Sequence, residues 1–345
     1  NGRTFQADAF EGGGALGGGV VPGGLTFDGV RRVPGMRTAT YTAMMDSSGD
    51  LVAAVADMAV LGEITAEHVL TFREQLIIAP LIVADANLPA QTLVALADIA
   101  AAPARSGADG PLLWLEPVSV VKAARAVESL GAAGIASLTF ISPNEDEVVA
   151  MAAALGDEGE QGGASAAREG GAASVSGEAA SGRRIGRREG QREGQRWLQW
   201  WGDATEAIAG LLGGLHRGDE DRAPVDDKGV RSAAEALVGA GVEHVLVTRG
   251  ARGLLWARAA EASGGGVEFE EIAALPVDAV VSTRGAGDCF VAGAVAMLQR
   301  AASKRLEDGS SVGAVRDAIR AGLKAAQLSI LSEAAVPCEL SGESG

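Results

Sequence analysis

Residues 280–290 read Val280-Val-Ser-Thr-Arg-Gly-Ala-Gly-Asp-Cys-Phe290 and run into an apolar helical stretch from Val291 to Leu298. Strand-like residues lead to a Gly-Ala-Gly turn that opens a helix. That order aims free backbone N–H groups, at the positive end of the helix dipole, towards an anion. Small residues at Gly285, Ala286 and Gly287 let a phosphate approach the backbone, and Asp288 sets a carboxylate beside it. Such a carboxylate suits a base that takes the proton of an attacking hydroxyl, while the N–H groups stabilise the charge on a transferring phosphoryl group. An ordinary strand-to-helix turn reads the same way, so the motif needs companions.

Strands and helices alternate upstream of it. Leu81–Ala84, Leu112–Leu115, Ala136–Phe140 and His244–Val-Leu-Val-Thr248 are strand candidates, with helix-length segments near 90–100, 119–130, 145–155 and 231–240. Thr65 is placed to cap a helix. Short apolar strands alternating with helices predict an α/β fold, a mostly parallel sheet covered on both faces. Ahead of these, Thr38–Met45 and Leu51–Ala56 flank a Ser47-Ser-Gly-Asp50 turn and predict a β-hairpin. The first 37 residues carry Gly-rich clusters and no periodic element, and the chain opens on Asn1, so an N-terminally truncated or processed chain is expected.

Across the chain of 345 residues, 29 Lys+Arg stand against 45 Asp+Glu, a formal charge of −16, which argues against a nucleic-acid partner. A hydrophobic fraction of 47% supplies a core. Cys289 and Cys338 make no disulfide framework and no metal spacing. No apolar run has the length of a membrane span, so no membrane partner is expected. The expected location is intracellular, cytoplasmic by default, with organelle targeting left open. Residues 156–196 lose their large apolar side chains to Gly, Ala, Ser, Gln, Glu and Arg, and read as a disordered low-complexity insertion. The Trp197-Leu-Gln-Trp-Trp201 stretch then opens an amphipathic helix to about Leu215.

Two further glycine- or acid-bearing turns accompany residues 280–290. Thr248-Arg-Gly-Ala-Arg-Gly253 follows a strand and precedes Leu254-Leu-Trp256, so that Thr248, Gly250 and Gly253 form a turn of the kind that lies against a nucleotide. Ser142-Pro-Asn-Glu-Asp-Glu147 leaves a strand and enters a helix; Asn144 is a candidate cap, and Asn144 and Glu147 stand one helical turn apart, suited to holding a hydrated Mg²⁺ through water. A helix cap and a solvated face account for the same two residues.

Taken together, the three turns resemble the ribokinase-like, or pfkB-type, carbohydrate kinase family. Its signature D-T-x-G-A-G-D-x-F is matched by Ser282–Phe290, and its order N-x-x-E, T-x-G-x-x-G, G-A-G-D by Asn144/Glu147, Thr248/Gly250/Gly253 and Gly285–Asp288. The resemblance implies a three-layer sandwich with a small β lid, the hairpin of 38–60, within a kinase domain of 38–345. It also implies ATP-dependent phosphorylation of a sugar hydroxyl, with Asp288 as base, Gly285, Ala286 and Gly287 as anion hole, and Mg²⁺ as the ion. Lys324 lies in a C-terminal helix, Ala321–Ser329, that resembles the segment flanking the adenine. Ser282 replaces an Asp that many members carry at a monovalent-cation site, which puts K⁺ in doubt.

Thr38-Ala-Thr-Tyr41, Asp57-Met58, Asp85-Ala-Asn-Leu88, Glu116-Pro-Val-Ser119 with Lys122, and Ser142–Glu145 further resemble the pseudouridine kinases. This implies a nucleoside substrate phosphorylated on its 5′-hydroxyl and contacted by Thr40, Tyr41, Asp57 and Asn87. Another sugar or nucleoside kinase, and a truncated inactive nucleotide-binding protein, stand as alternatives, because nothing in residues 1–37 resembles the family's first βαβ unit with its sugar-binding Asp. A homodimer through the lid strands is the implied assembly.

Overall fold

The computed structural model describes residues 28–45, 51–103, 110–165, 226–260, 266–302, 311–332 and 336. The glycine-rich start to residue 27, residues 166–196 of the expected insertion and the expected helix from Trp197 lie outside them. Of the described residues, those up to 159 and from 228 onward belong to one compact unit, and 160–165 with 226 and 227 fall outside it.

A two-stranded antiparallel hairpin comes first, β1 (Thr40–Met45) with β2 (Leu51–Asp57). Its register sets Thr40 opposite Asp57 and slips by one residue between Met44 and Met45. Two short helices follow, α1 (Ala66–Leu70) and α2 (Arg73–Ile78). Thr65 caps α1 as expected, its side chain accepting from the His68 N–H.

The main sheet has six strands in chain order: β3 (Leu81–Asp85), β4 (Leu112–Glu116), β5 (Phe140–Ile141), β6 (His244–Thr248), β7 (Leu254–Ala259) and β8 (Val267–Ile272). Between the first four run α3 (Ala90–Ala101), α4 (Val120–Ile135), α5 (Glu145–Ser165) and α6 (Asp227–Gly239). Those strands pair in parallel, since a helical crossover returns the chain to the same edge, and β7 and β8 add two antiparallel pairings. The C-terminal pair is α7 (Ala286–Ala302) and α8 (Ser311–Ile330).

Trp114, Phe140, Leu246, Trp256, Phe290 and Ile319 belong to one core cluster, so β4 to β7 share a core with α7 and α8. Trp114 stacks on Phe140 at 4.9 Å between centroids and meets the edge of Phe290 at 6.4 Å. Phe290, two residues after Asp288, thereby fixes the start of α7 to the sheet.

Several sequence expectations need correction. The strand expected over 136–140 begins only at Phe140, because α4 continues past a break at Gly131 (φ 58°, ψ −179°) to Ile135 and the next residues turn. Val280-Val-Ser282 is not a strand; the Val281 and Ser282 N–H groups both donate to the carbonyl of Ile330, which moors this segment to the end of α8. Among the described residues, Val83 on the edge strand β3 is 47% exposed. Helix α5 runs on to Ser165, so its last turns occupy part of the expected insertion. Strands β7 and β8 were not expected.

Candidate active site

In a parallel sheet the carboxyl ends of the strands face one edge, and the helix starts that follow them face it too. Asp85, Glu116, Ile141 and Thr248 close their strands at that edge. Three sequence-predicted groups gather there.

The first is the turn into α5. Asn144 Oδ1 accepts from the Glu147 N–H at 2.9 Å, and Glu147 Oε2 accepts from the Asn144 N–H at 2.9 Å, a reciprocal capping box. Glu147 is 5% exposed, so the expectation of a solvated face is wrong. Burial raises its carboxyl above the ordinary range, against the opposing pull of the Asn144 N–H.

The second group adjoins it. Asn144 and Thr248 form a parallel β-bridge, and the Thr248 N–H donates to the Pro143 carbonyl at 2.8 Å. Thr248 leads into a single 3₁₀ turn, Gly250–Arg252, bounded by left-handed Gly250 (φ 54°) and Gly253 (φ 86°). A Cβ at Gly253 would stand 2.1 Å from the Ile272 carbonyl oxygen, so only glycine closes this turn against β8. Glu145 grips the same turn, accepting from Arg249 Nε at 2.9 Å and pairing with Arg252. The Arg249 side chain is only 5% exposed.

Gly285 (φ 75°), Ala286, Gly287 and Asp288 form the third group at the start of α7. A Cβ at Gly287 would meet no protein atom within 4 Å, in contrast to Gly253. The loop before it is held from α8: Ser329, fully buried, donates its hydroxyl to the Arg284 carbonyl at 3.3 Å. Ser282 Oγ accepts from the Arg284 N–H at 3.2 Å. Asp288 is exposed at the edge.

The remaining candidates are Asn87, at the same edge, the hairpin residues and Lys324. Asn87 follows β3, its N–H on Asp85 Oδ1 at 2.7 Å and its Oδ1 accepting from Lys122 Nζ. Burial lowers the pKa of both Lys122 and Arg125 below their ordinary values, against the raising charge of Asp85. Thr40, Tyr41 and Asp57 sit on the hairpin; Tyr41 is 56% exposed and Asp57 pairs with Arg37 at 3.3 Å. Lys324 is exposed on α8 and donates to Gln327 Oε1 at 2.7 Å, while Gln327 holds the Pro276 carbonyl at 2.8 Å.

Sequence reasoning assigned no role to Glu116. Burial is the largest cause pushing its carboxyl up to about 7; the charges of Glu147 and Asp288 push the same way, against hydrogen bonds from Ser142 and the Val118 N–H. The signal lay in its position, a carboxylate closing an apolar strand directly before a proline. Among the described residues no group of three or more His, Cys, Asp or Glu is arranged to hold a metal ion, and no helix is long and apolar enough to cross a membrane.

Comparison with known proteins adds the following. The model of the pfkB family carbohydrate kinases matches residues 206–341. A pseudouridine kinase of Arabidopsis thaliana is 35% identical over 133 residues, 38% of this chain and 32% of that protein. A pseudouridine kinase of Escherichia coli strain K12 is 35% identical over 78 residues, 23% of this chain and 25% of that one. The chain thus spans a third or less of the curated relatives it matches. Among solved structures, a ribokinase of Giardia lamblia superposes with a TM-score of 0.55 at 15% identity, covering 88% of this chain and 71% of that one. An adenosine kinase of Anopheles gambiae superposes with a TM-score of 0.53 at 16% identity, covering 91% and 68%. The fold is therefore ribokinase-like.

Proposed function

We propose that this chain, whose residues 206–341 carry a pfkB family carbohydrate kinase domain, transfers the γ-phosphoryl group of ATP to the 5′-hydroxyl of a nucleoside, with pseudouridine as the preferred acceptor. The observation that carries the reading is the start of α7. Left-handed Gly285, an open Cβ position at Gly287 and Asp288 in the first turn put backbone donors and a carboxylate side by side at the strand ends.

Asp288 takes the hydroxyl proton as the nucleoside oxygen bonds to phosphorus, and the bond to the bridging oxygen of ADP breaks. The N–H groups of Gly285 and Gly287, with that of Ala286 once it leaves its long bond to the Thr283 carbonyl (3.4 Å), stabilise the charge on the transferring phosphoryl oxygens. The nucleotide lies along the Thr248–Gly253 turn, with Lys324 beside its base. Asn144 and Glu147 fit a hydrated Mg²⁺ only through water, because the capping box already engages one oxygen of each; the ion would neutralise phosphate charge. Thr40, Tyr41, Asp57 and Asn87 are assigned to the nucleoside, and Ser282 is the residue at which a K⁺ requirement would be lost. The choice of pseudouridine is supported by the two partial relatives and the short patterns at residues 38–41, 85–88 and 116–119.

The test is a mass-spectrometric assay of ATP-dependent phosphorylation on pseudouridine, uridine, adenosine and ribose. Selective pseudouridine 5′-phosphate is the expected product. A different phosphorylated acceptor overturns the substrate, and no product from any of them overturns the enzyme reading for this chain.

A further inference from the structure

One carboxylate at this edge is held more elaborately than helix capping requires. Glu116 closes β4 and accepts from the hydroxyl of Ser142, which in turn accepts from the buried indole N–H of Trp114 at 2.7 Å. Because the indole occupies a lone pair of Ser142 Oγ, the hydroxyl proton is free to point at Glu116. The carboxylate also accepts from the N–H of Val118.

Val118 is the only non-glycine described residue with positive φ, at 70°, in a three-residue turn closed by the Ser119 N–H on the Pro117 carbonyl at 2.8 Å. For a β-branched residue that conformation costs on the order of 1–3 kcal/mol, and it persists only where neighbours over-determine it. Here it directs an N–H onto Glu116.

Ser142 is the hinge of the arrangement. It stands between β5 and the Pro143-Asn144 turn whose capping box contains Glu147 and whose Pro143 carbonyl takes the Thr248 N–H. Trp114 is fully buried and stacked on Phe140, so the chain from Trp114 through Ser142 to Glu116 ties this turn to the core.

We infer that Glu116 is a positioning residue for phosphoryl transfer: through Ser142 it fixes the turn that carries Asn144 and Glu147 relative to Thr248 and Asp288. This rests on the kinase reading above. It acts on the geometry of the reacting groups and not on the nucleoside, so its loss should lower kcat far more than it raises the KM for the nucleoside.

The test uses the full chain with Glu116→Ala, Ser142→Ala and the double variant, each read two ways. Amide hydrogen exchange of Asn144, Glu147 and Val148 reports the turn whether or not the protein is a kinase; nucleoside phosphorylation reports the reaction. Expected are at least tenfold faster exchange at those amides with α7 amides unchanged, a tenfold or greater fall in kcat with KM within about twofold, and a double variant no worse than the more impaired single one. Restoring the acceptor with Glu116→Gln should recover the protection. Unchanged exchange in Glu116→Ala overturns the inference, as do additive losses in the double variant. If the wild-type chain phosphorylates nothing, the kinase reading fails, and unprotected capping amides alone then uphold the Ser142 link while protected ones overturn it.

Discussion

Glu116 and His244 are both half-buried titratable groups on the one sheet, at opposite ends of its parallel strands. His244 opens β6, stacks on Phe140 at 4.9 Å and accepts at Nδ1 from the Trp256 indole at 3.3 Å. Burial first, then the Arg258 charge, pushes its pKa down to about 4, so it sits neutral in an aromatic wall. Glu116 closes β4 with polar donors on its oxygens and two other carboxylates within electrostatic reach. Desolvation acts on both groups and disfavours the charged form of each. At the strand starts the silenced histidine lies among aromatic rings near Arg258, whereas at the strand ends the same physics leaves a carboxyl raised to about 7 within electrostatic reach of Asp288.

The largest effect separating the two ends is their opposite dependence on pH. His244 has a folded pKa below its unfolded value, so its contribution to stability is present above about pH 6.5 and is lost as pH falls towards 4. Glu116 has a raised folded pKa, so its contribution is present below about pH 4.5 and is lost as pH rises through 7. Each shift is worth up to about 3 kcal/mol when fully expressed. Thermal unfolding of His244→Phe should therefore lose less stability than wild type between pH 6.5 and 4, and Glu116→Gln should lose less between pH 5 and 8. Parallel pH profiles for wild type and variants would abolish the contrast.

A pair of glycines sharpens it next. Gly253→Ala drives a Cβ into the Ile272 carbonyl and should cost more than about 2 kcal/mol in chemical denaturation. Gly287→Ala meets open space in the first turn of α7 and should leave stability within about 1 kcal/mol of wild type. Its effect should fall on turnover instead, by about a hundredfold, as for an obstructed anion hole. Loss of fold in Gly287→Ala with turnover per folded molecule intact would contradict the role given to that turn. The smallest effect concerns Val118→Gly: relief of the left-handed valine, about 1–3 kcal/mol, is offset by about 1 kcal/mol of added entropy in the unfolded chain, so chemical denaturation should show a stability from equal to wild type to about 2 kcal/mol higher.

How far this was legible in the sequence depended on whether a residue's role was local. Caps at Thr65 and Asn144 and the β1–β2 hairpin follow from neighbours within a few positions, and all three are present. Strand β8, Val267-Glu-Phe-Glu-Glu-Ile272, carries three glutamates and shows no apolar run. Its stability comes from cross-strand and helix partners such as the paired Glu270–Arg316 contacts at 2.7 and 2.8 Å, which no local pattern reveals. The start of β5 was misplaced because a glycine break at 131 resumes a helix that periodicity ends there. In the site, the three turns were readable as motifs, but the hold on Glu116 depends on Ser142, 26 residues away at the end of β5, arriving between Glu116 and the Trp114 indole, which no local pattern reveals.

The most direct measurement is the turnover of ATP-dependent pseudouridine phosphorylation by wild type and Asp288→Asn, with nucleotide binding measured alongside. The account predicts a fall of about 10²- to 10⁴-fold in turnover with nucleotide affinity within a few-fold of wild type, as expected for removal of a base. Near-normal turnover in Asp288→Asn would contradict the assignment of phosphoryl transfer to the start of α7.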